Sequence, residues 1–181
     1  MRVNVIFDNR YPDDYERLLN EFETQGITDY HFWDAVVIAT KPSYECINAS
    51  HKKIIRWAKE KGEDCVCIME QDCTFPAKDG WQHFLKNKPE HFDIYSAATY
   101  VEDANDKNIL CGFQLYLVSS SFYEAFLSVD DKLHIDTEVA NLKGDFHVCR
   151  PFAALQRPGW SSNNMAQVNY NSLLKPEDIY Q

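Results

Sequence analysis

The chain has 181 residues, the usual size of one domain. At that length folding buries about 70% of the unfolded surface, so no disulfide or metal staple is required. A net charge of -10 argues against duplex nucleic acid or an anionic membrane surface, because phosphate backbones need clustered Lys and Arg. The one basic run, Lys52, Lys53, Arg56 and Lys59, reads as a solvated helix face. A single nucleotide remains compatible with this charge if a cation bridges the two. The opening segment Met1 to Ile6 lacks a signal-peptide pattern, and no apolar run nears the roughly 20 residues of a membrane span. A cytoplasmic setting with reduced thiols is therefore expected. The six cysteines show no zinc-finger spacing and read as buried structural thiols.

Val3 to Phe7 is a short apolar run that reads as a first strand, ending at Asp8-Asn9. Pro12-Asp13-Asp14 suits a first helical turn, and Tyr15, Leu18, Leu19 and Phe22 give the helix one apolar face until Gly26 stops it. A second strand is expected within Tyr30 to Val37. Ser43 is placed to cap a long helix running to about Gly62, with Ile47, His51, Ile54, Ile55 and Ala58 on its inner side. Cys65 to Met69 is apolar on both faces, as a central covered strand should be. Then follow a helix around Trp81 to Leu85, a strand at Phe92 to Ala97 and a longer strand at Leu110 to Val118. Ser119 or Ser120 is placed to cap a helix carrying Phe122, Tyr123, Phe126 and Leu127. A short helix at Ile135 to Leu142 and a strand at His147 to Phe152 complete the pattern. Strands alternating with helices imply one α/β domain, a Rossmann-like, mostly parallel sheet flanked by helices. Residues 1–156 read as its compact body, and 157–181 as a polar C-terminal tail or flap.

Open sheets of this kind bind ligands beyond the carboxyl ends of their strands. Asp8, Glu70 and Asp72 each sit just past an expected strand. Glu70 and Asp72 flank a single residue, so both can be aimed near one point, where a hard divalent cation would relieve their repulsion. A solvated acidic turn is the plainer alternative for this spacing.

The stretch from Ile47-Asn48-Ala49-Ser50-His51 through Ile68-Met69-Glu70-Gln71-Asp72-Cys73-Thr74-Phe75 resembles the centre of glycosyltransferase family 25, the lipooligosaccharide galactosyltransferase type. That family carries a Ser-His pair on a helix and then a strand ending in Glu-Asp-Asp. Val5-Ile6-Phe7-Asp8-Asn9-Arg10 is similar to its opening strand and basic turn. Gly26-Ile27 with Phe32-Trp33-Asp34-Ala35 is similar to its second segment. Gly112 to Ser119 is similar to its Gly-x-x-x-Tyr-x-x-Ser strand, His134-Ile135-Asp136 to a Pro-x-Asp step, and Gln156 with Ser161-Ser162 to its closing segment.

This resemblance implies a GT-A fold, a UDP-sugar or other nucleotide-sugar donor, a glycan or lipid-linked acceptor, and a place in lipopolysaccharide biosynthesis. It implies Mn²⁺ or Mg²⁺ held by Asp72 and Glu70, with His147 as a further candidate ligand. Asp8, Arg10, Tyr11, Glu70, Gln71, Gln156 and Ser162 become candidate donor contacts. For an inverting transfer Asp136 is the first candidate base and Glu138 the second. Helix capping is an equal reading of Asp136, and packing is the plainer one for His51 and His147. Trp160 is a candidate stacking ring. The family's middle acid is Gln71 here, and the chain is short for such an enzyme. Those two departures motivate the alternative of a nucleotide- or sugar-binding module that has lost turnover.

Overall fold

The computed structural model describes residues 1–100 and 111–181. In chain order the elements are β1 (Val3–Phe7), α1 (Asp13–Gln25), β2 (Tyr30–Asp34), α2 (Ser43–Lys61), β3 (Cys65–Glu70), β4 (Cys73–Thr74), α3 (Gly80–Lys86), β5 (Ile94–Ser96) and β6 (Leu115–Ser119). There follow α4 (Tyr123–Ser128), α5 (Ile135–Ala140), β7 (Phe146–Val148), β8 (Leu155–Gln156), β9 (Gly159–Ser161) and β10 (Ala166–Val168). Six strands form one sheet in the order β2-β1-β3-β6-β5-β7. Only β6 pairs antiparallel with its neighbours, so the other five strands run the same way. The fold is thus the expected α/β sheet, mostly parallel and flanked by helices.

Both faces of the sheet are covered, and side-chain alternation shows how. Val3, Val5, Cys67, Met69, Leu115 and Leu117 join one core with Leu18 and Phe22 of α1 and Trp81 and Phe84 of α3. Val66, Ile68, Tyr116 and Val118 join the opposite core with Ile54, Ile55 and Ala58 of α2 and Phe126 of α4. β3 therefore feeds both layers, which is why its sequence is apolar throughout. Gly26 and Gly62 end α1 and α2 in the left-handed conformation, at φ 69° each, where a Cβ would be strained.

Several expectations are corrected. The N-cap of α2 is Pro42, and Ser43 is already its first helical residue with no capping bond. Ser119 precedes a 3-10 turn over Ser120–Phe122 without capping it; its hydroxyl meets that of Ser121 at 2.8 Å. The long strand expected from Leu110 begins only at Leu115, and Leu110 itself lies outside the described residues. The strand expected to run to Phe152 stops at Val148. Lys52 is not on a solvated face: it is fully buried, its ammonium donating to the Val129 carbonyl and, at 2.5 Å, to Asp131 Oδ1.

Residues after Arg157 form the β9–β10 hairpin and two 3-10 turns. Phe152 and Ile179 then pair as an isolated bridge. Among the described residues no helix is long and apolar enough to cross a membrane.

Candidate functional site

A cavity of about 880 Å³ opens beyond the carboxyl ends of β1 and β3. Its walls come from the turn after β1, the loop between β2 and α2, one side of α2, the 70–72 turn, the start of α5 and the β9–β10 hairpin. Asp8, Arg10, Tyr11, Glu70, Gln71, Asp72, Asp136, Gln156, Trp160 and Ser162 all line it. Among the described residues five carboxylates, Asp8, Asp14, Glu70, Asp72 and Asp136, face it against Arg10, Lys41 and Arg157.

Strand parity separates the two central acids. Glu70 has the parity of Val66 and Ile68, so its side chain leaves β3 on the α2 side. There His51 Nε2 meets Glu70 Oε1 at 2.9 Å, while His51 Nδ1 meets the Tyr116 hydroxyl at 2.7 Å. Asp72 lies past the strand end, where β4 begins a two-stranded pairing with β8. The register Cys73↔Gln156 brings Gln156 alongside, and its Nε2 donates to Asp72 Oδ2 at 2.9 Å. Gln156 is held in turn by Gln114, whose Nε2 donates to Gln156 Oε1 at 3.1 Å, and by the Tyr100 hydroxyl, which accepts from its backbone N–H at 2.6 Å.

Asp72 Oδ1 is buried and has no hydrogen-bond partner among the described residues. Burial, followed by the charge of Glu70, pushes the Asp72 carboxyl up to about 7, against the lowering pull of Gln156 and Arg157. A buried carboxylate oxygen without a donor is costly unless a cation or a proton satisfies it. The chemistry of this pair fits a hard divalent ion, which takes one or two carboxylates and completes its shell with water and phosphate. Among the described residues no set of three or more His, Cys, Asp and Glu side chains is grouped to hold a metal by itself.

Gln71 faces away from that pair. Its Oε1 accepts from the Asp8 backbone N–H at 2.5 Å, and its Nε2 donates to Asp14 Oδ2 at 3.3 Å. Asp14, almost wholly buried on α1, also takes Arg17 Nε at 3.1 Å and Arg157 Nη2 at 2.5 Å. Arg17 reaches on to the carbonyls of Gln71 and Cys73, clamping the acidic turn from below. Asp8 and Arg10 form their own pair, Nη2 to Oδ2 at 2.5 Å, and that guanidinium holds the Asp8 carboxyl below its usual range against the opposing effect of burial. Asp136 accepts from the Gly112 backbone N–H at 3.1 Å and from that of Thr137 at 2.8 Å; the helix cap itself is His134.

Two expected residues are not brought in. Glu138 is two positions beyond Asp136 on α5, about 200° around the helix, and does not line the cavity. His147 lies on β7, three strands from β3 and so about 14 Å across the sheet; its Nε2 meets Asp145 at 2.9 Å. Conversely, sequence reasoning passed over Asp14, Arg17, Tyr100, Gln114 and Arg157. Of these only Arg157, next to Gln156, and the Asp14–Arg17 pair at i,i+3 carry any local signal.

No protein-family model and no curated protein matches this chain. Solved structures give low-level likenesses. A mutant β1,4-galactosyltransferase 7 of Drosophila, complexed with manganese, UDP-Gal and xylobiose, is 15% identical with a TM-score of 0.48, over 83% of this chain and 64% of that one. A glycosyltransferase involved in glycosylation of the major capsid of PBCV-1 is 12% identical with a TM-score of 0.43, over 68% and 61%. A197 from STIV is 14% identical with a TM-score of 0.45, over 78% and 77%. The chain thus spans about 64% of the length of the Drosophila structure. Likeness at this level bears on neither family nor chemistry.

Proposed function

We propose that this chain is a metal-assisted glycosyltransferase that moves a sugar from a nucleotide-sugar donor, a UDP-sugar, to a hydroxyl of a glycan acceptor with inversion. The observation that carries the reading is the buried Oδ1 of Asp72, unpartnered among the described residues, beside Glu70 in a large cavity at the strand ends. The resemblance to glycosyltransferase family 25 supports it along most of the chain. The lipid-linked acceptor, the lipopolysaccharide setting and the cytoplasmic location rest on that resemblance and on the sequence alone.

The charge balance of the cavity supports the cation. Among the described residues five carboxylates stand against three cationic side chains, so a diphosphate meets net repulsion from them. A bound Mn²⁺ or Mg²⁺ would be held by Asp72, supported by Glu70, and would stabilise the charge that gathers on the leaving diphosphate.

This chain's own residues do the rest. Gln156 orients Asp72 by donating to Oδ2, which leaves Oδ1 for the ligand. Arg10 and Tyr11, at the mouth beside Asp8, and Ser162 on the hairpin are the donor contacts. Asp136 is the base: its carboxylate is aimed by the Gly112 N–H and takes the proton of the acceptor hydroxyl. Gln71 serves as a fastener between the β1 turn and α1 rather than as a missing ligand. Its neutrality therefore leaves the metal pair intact.

The reading is tested by thermal unfolding with UDP, GDP or CDP, each with and without Mn²⁺. A ligand at 100 times its Kd stabilises by about 2.7 kcal/mol, a shift of several degrees for a chain of this size. A Mn²⁺-dependent rise with one of the three, together with release of the free nucleoside diphosphate from its sugar conjugate, is expected. The absence of any shift would overturn the proposal.

A further inference from the structure

Four polar positions within one stretch of α2 are buried where a helix facing a sheet would ordinarily present apolar side chains: Asn48, Ser50, His51 and Lys52, none more than 3% exposed. Each grips a different part of the cavity's surroundings. Asn48 Nδ2 donates to the carbonyls of Asp130 and Leu133, just before α5, at 3.0 Å each. Ser50 Oγ accepts from the Val36 N–H at 2.8 Å. Lys52 holds Val129 and Asp131. Only His51 reaches one of the two central acids.

We propose that His51 is the positioning residue of Glu70, and that Tyr116 fixes the histidine tautomer that does this. The proposal rests on the reading of Glu70 as a support for the cation and its diphosphate. A neutral imidazole has one donor nitrogen and one acceptor nitrogen. An ionised Glu70 can only accept, so Nε2 carries the hydrogen and donates to Oε1 across 2.9 Å. Nδ1 is then a bare lone pair, and the Tyr116 hydroxyl donates to it across 2.7 Å. The order of donation runs one way, from phenol to imidazole to carboxylate, and each partner is used once.

The parity of two strands makes this meeting obligatory. Ile68 and Tyr116 are register partners on β3 and β6, and Glu70 lies two residues along on the same face. His51 is on the helix that covers that face, with its ring 1% exposed. Tyr116 is fully buried, and its ring stacks on Phe113 with centroids 4.3 Å apart, so it cannot swing to another acceptor without opening the core. Glu70, by contrast, keeps 26% of its side chain exposed towards the cavity. A flexible carboxylate at a cleft wall is thereby anchored at one oxygen by a partner that solvent does not reach. Glu70's backbone is pinned as well, its N–H donating to the Gln114 carbonyl at 2.9 Å.

The test uses two readouts on the full chain. Ring ¹⁵N spectra of the metal-free protein report the tautomer. The expected result is His51 with hydrogen on Nε2 in the wild type, a mixture of tautomers in Tyr116→Phe, and a shifted Nε2 in Glu70→Gln. Hydrogen on Nδ1 in the wild type, or no response to either variant, would overturn the proposal whether or not any nucleotide binds. Tyr116→Phe keeps the ring and its stacking, so it folds where His51→Ala is at risk. The second readout is Mn²⁺–UDP affinity in a double-mutant cycle. Tyr116→Phe is expected to weaken binding about three- to tenfold, the worth of one hydrogen bond. In the Glu70→Gln background that loss should vanish, because Tyr116 acts through Glu70. The same loss in both backgrounds would show a general packing effect and overturn the positioning role. A wild type that binds no Mn²⁺–UDP counts against the proposed transferase, while the tautomer spectra still decide the role of His51.

Discussion

The two walls that hold the central acids are built differently. The α2 wall holds Glu70 with His51 and Tyr116, residues sunk in the core behind Ile54, Ile68 and Phe126. The tail wall holds Asp72 with Gln156, which belongs to a two-residue strand tied by Tyr100, Gln114 and Asn171. One carboxylate is engaged at one oxygen, and the other keeps a buried oxygen with no partner among the described residues. The difference teaches that the α2 wall is satisfied by folding itself, whereas on the Asp72 side the described residues leave one carboxylate oxygen unsatisfied, as the proposed cation site requires. Substitutions in the packed residues behind the first wall should cost stability above all, while those at Asp72 and Gln156 should cost binding above all.

The largest effect should come from the scaffold. Ile54→Ala removes a fully buried side chain of α2 and should lower unfolding free energy by about 2–5 kcal/mol, read in urea titrations. A loss below about 1 kcal/mol would mean that the α2 wall is looser than the packing indicates.

Asp72→Asn should do the opposite to the metal-free protein. Because its folded-state carboxyl lies near 7, above the unfolded value of about 3.9, the native state holds an extra proton between those limits. Stability should therefore fall as pH rises from about 4 to about 7, by up to about 4 kcal/mol. The Asn variant, which cannot ionise, should be flatter with pH and more stable than the wild type at pH 8. Parallel pH profiles for the two proteins would refute the orphaned-carboxylate account.

Gln71→Glu tests whether restoring an acid in the middle of the turn restores anything. It places a second carboxylate against the buried Asp14, where an amide donor now sits at 3.3 Å. A loss of about 1–3 kcal/mol at pH 8, recovered near pH 5 as the new acid takes up a proton, is expected from the like charge set against Asp14 at this half-buried position. Stronger Mn²⁺ binding by this variant would contradict the fastener role. Gln156→Ala should have the smallest effect, weakening Mn²⁺-dependent nucleotide binding about three- to tenfold with a modest change in melting temperature.

Much of the sheet was legible because its signals are local. The apolar run Cys65 to Met69, the acidic start of α1 and the closing Gly26 and Gly62 each encode their element in adjacent residues. The turn at Glu70 was legible for the same reason. The reversal of β6 was not read, although no helix was expected between the strand patterns at Phe92 and Leu110 and parallel neighbours need a long crossover. Other features had no such signal. The two-residue pairing of Cys73–Thr74 with Leu155–Gln156 joins residues about 80 positions apart, so the bond from Gln156 to Asp72 had no local signal, and the resemblance offered Gln156 only as a donor contact. Lys52 looked solvated because charge predicts exposure unless a partner is known, and its partner Asp131 lies 79 residues on. His51 looked like packing because its two partners come from different strands. His147 was drawn towards the site by residue type alone, while the sheet order carries β7 to the far edge.

The central claim is that Asp72 is the ligand around which the site is built. Isothermal calorimetry of Mn²⁺ with UDP, GDP and CDP, on the wild type and Asp72→Asn at pH 8, tests it most directly. The account predicts that one nucleotide binds the wild type with a strong Mn²⁺ dependence that Asp72→Asn removes, at least about 100-fold in affinity, while Asp72→Asn remains folded. Equal Mn²⁺-dependent binding by both proteins would contradict it.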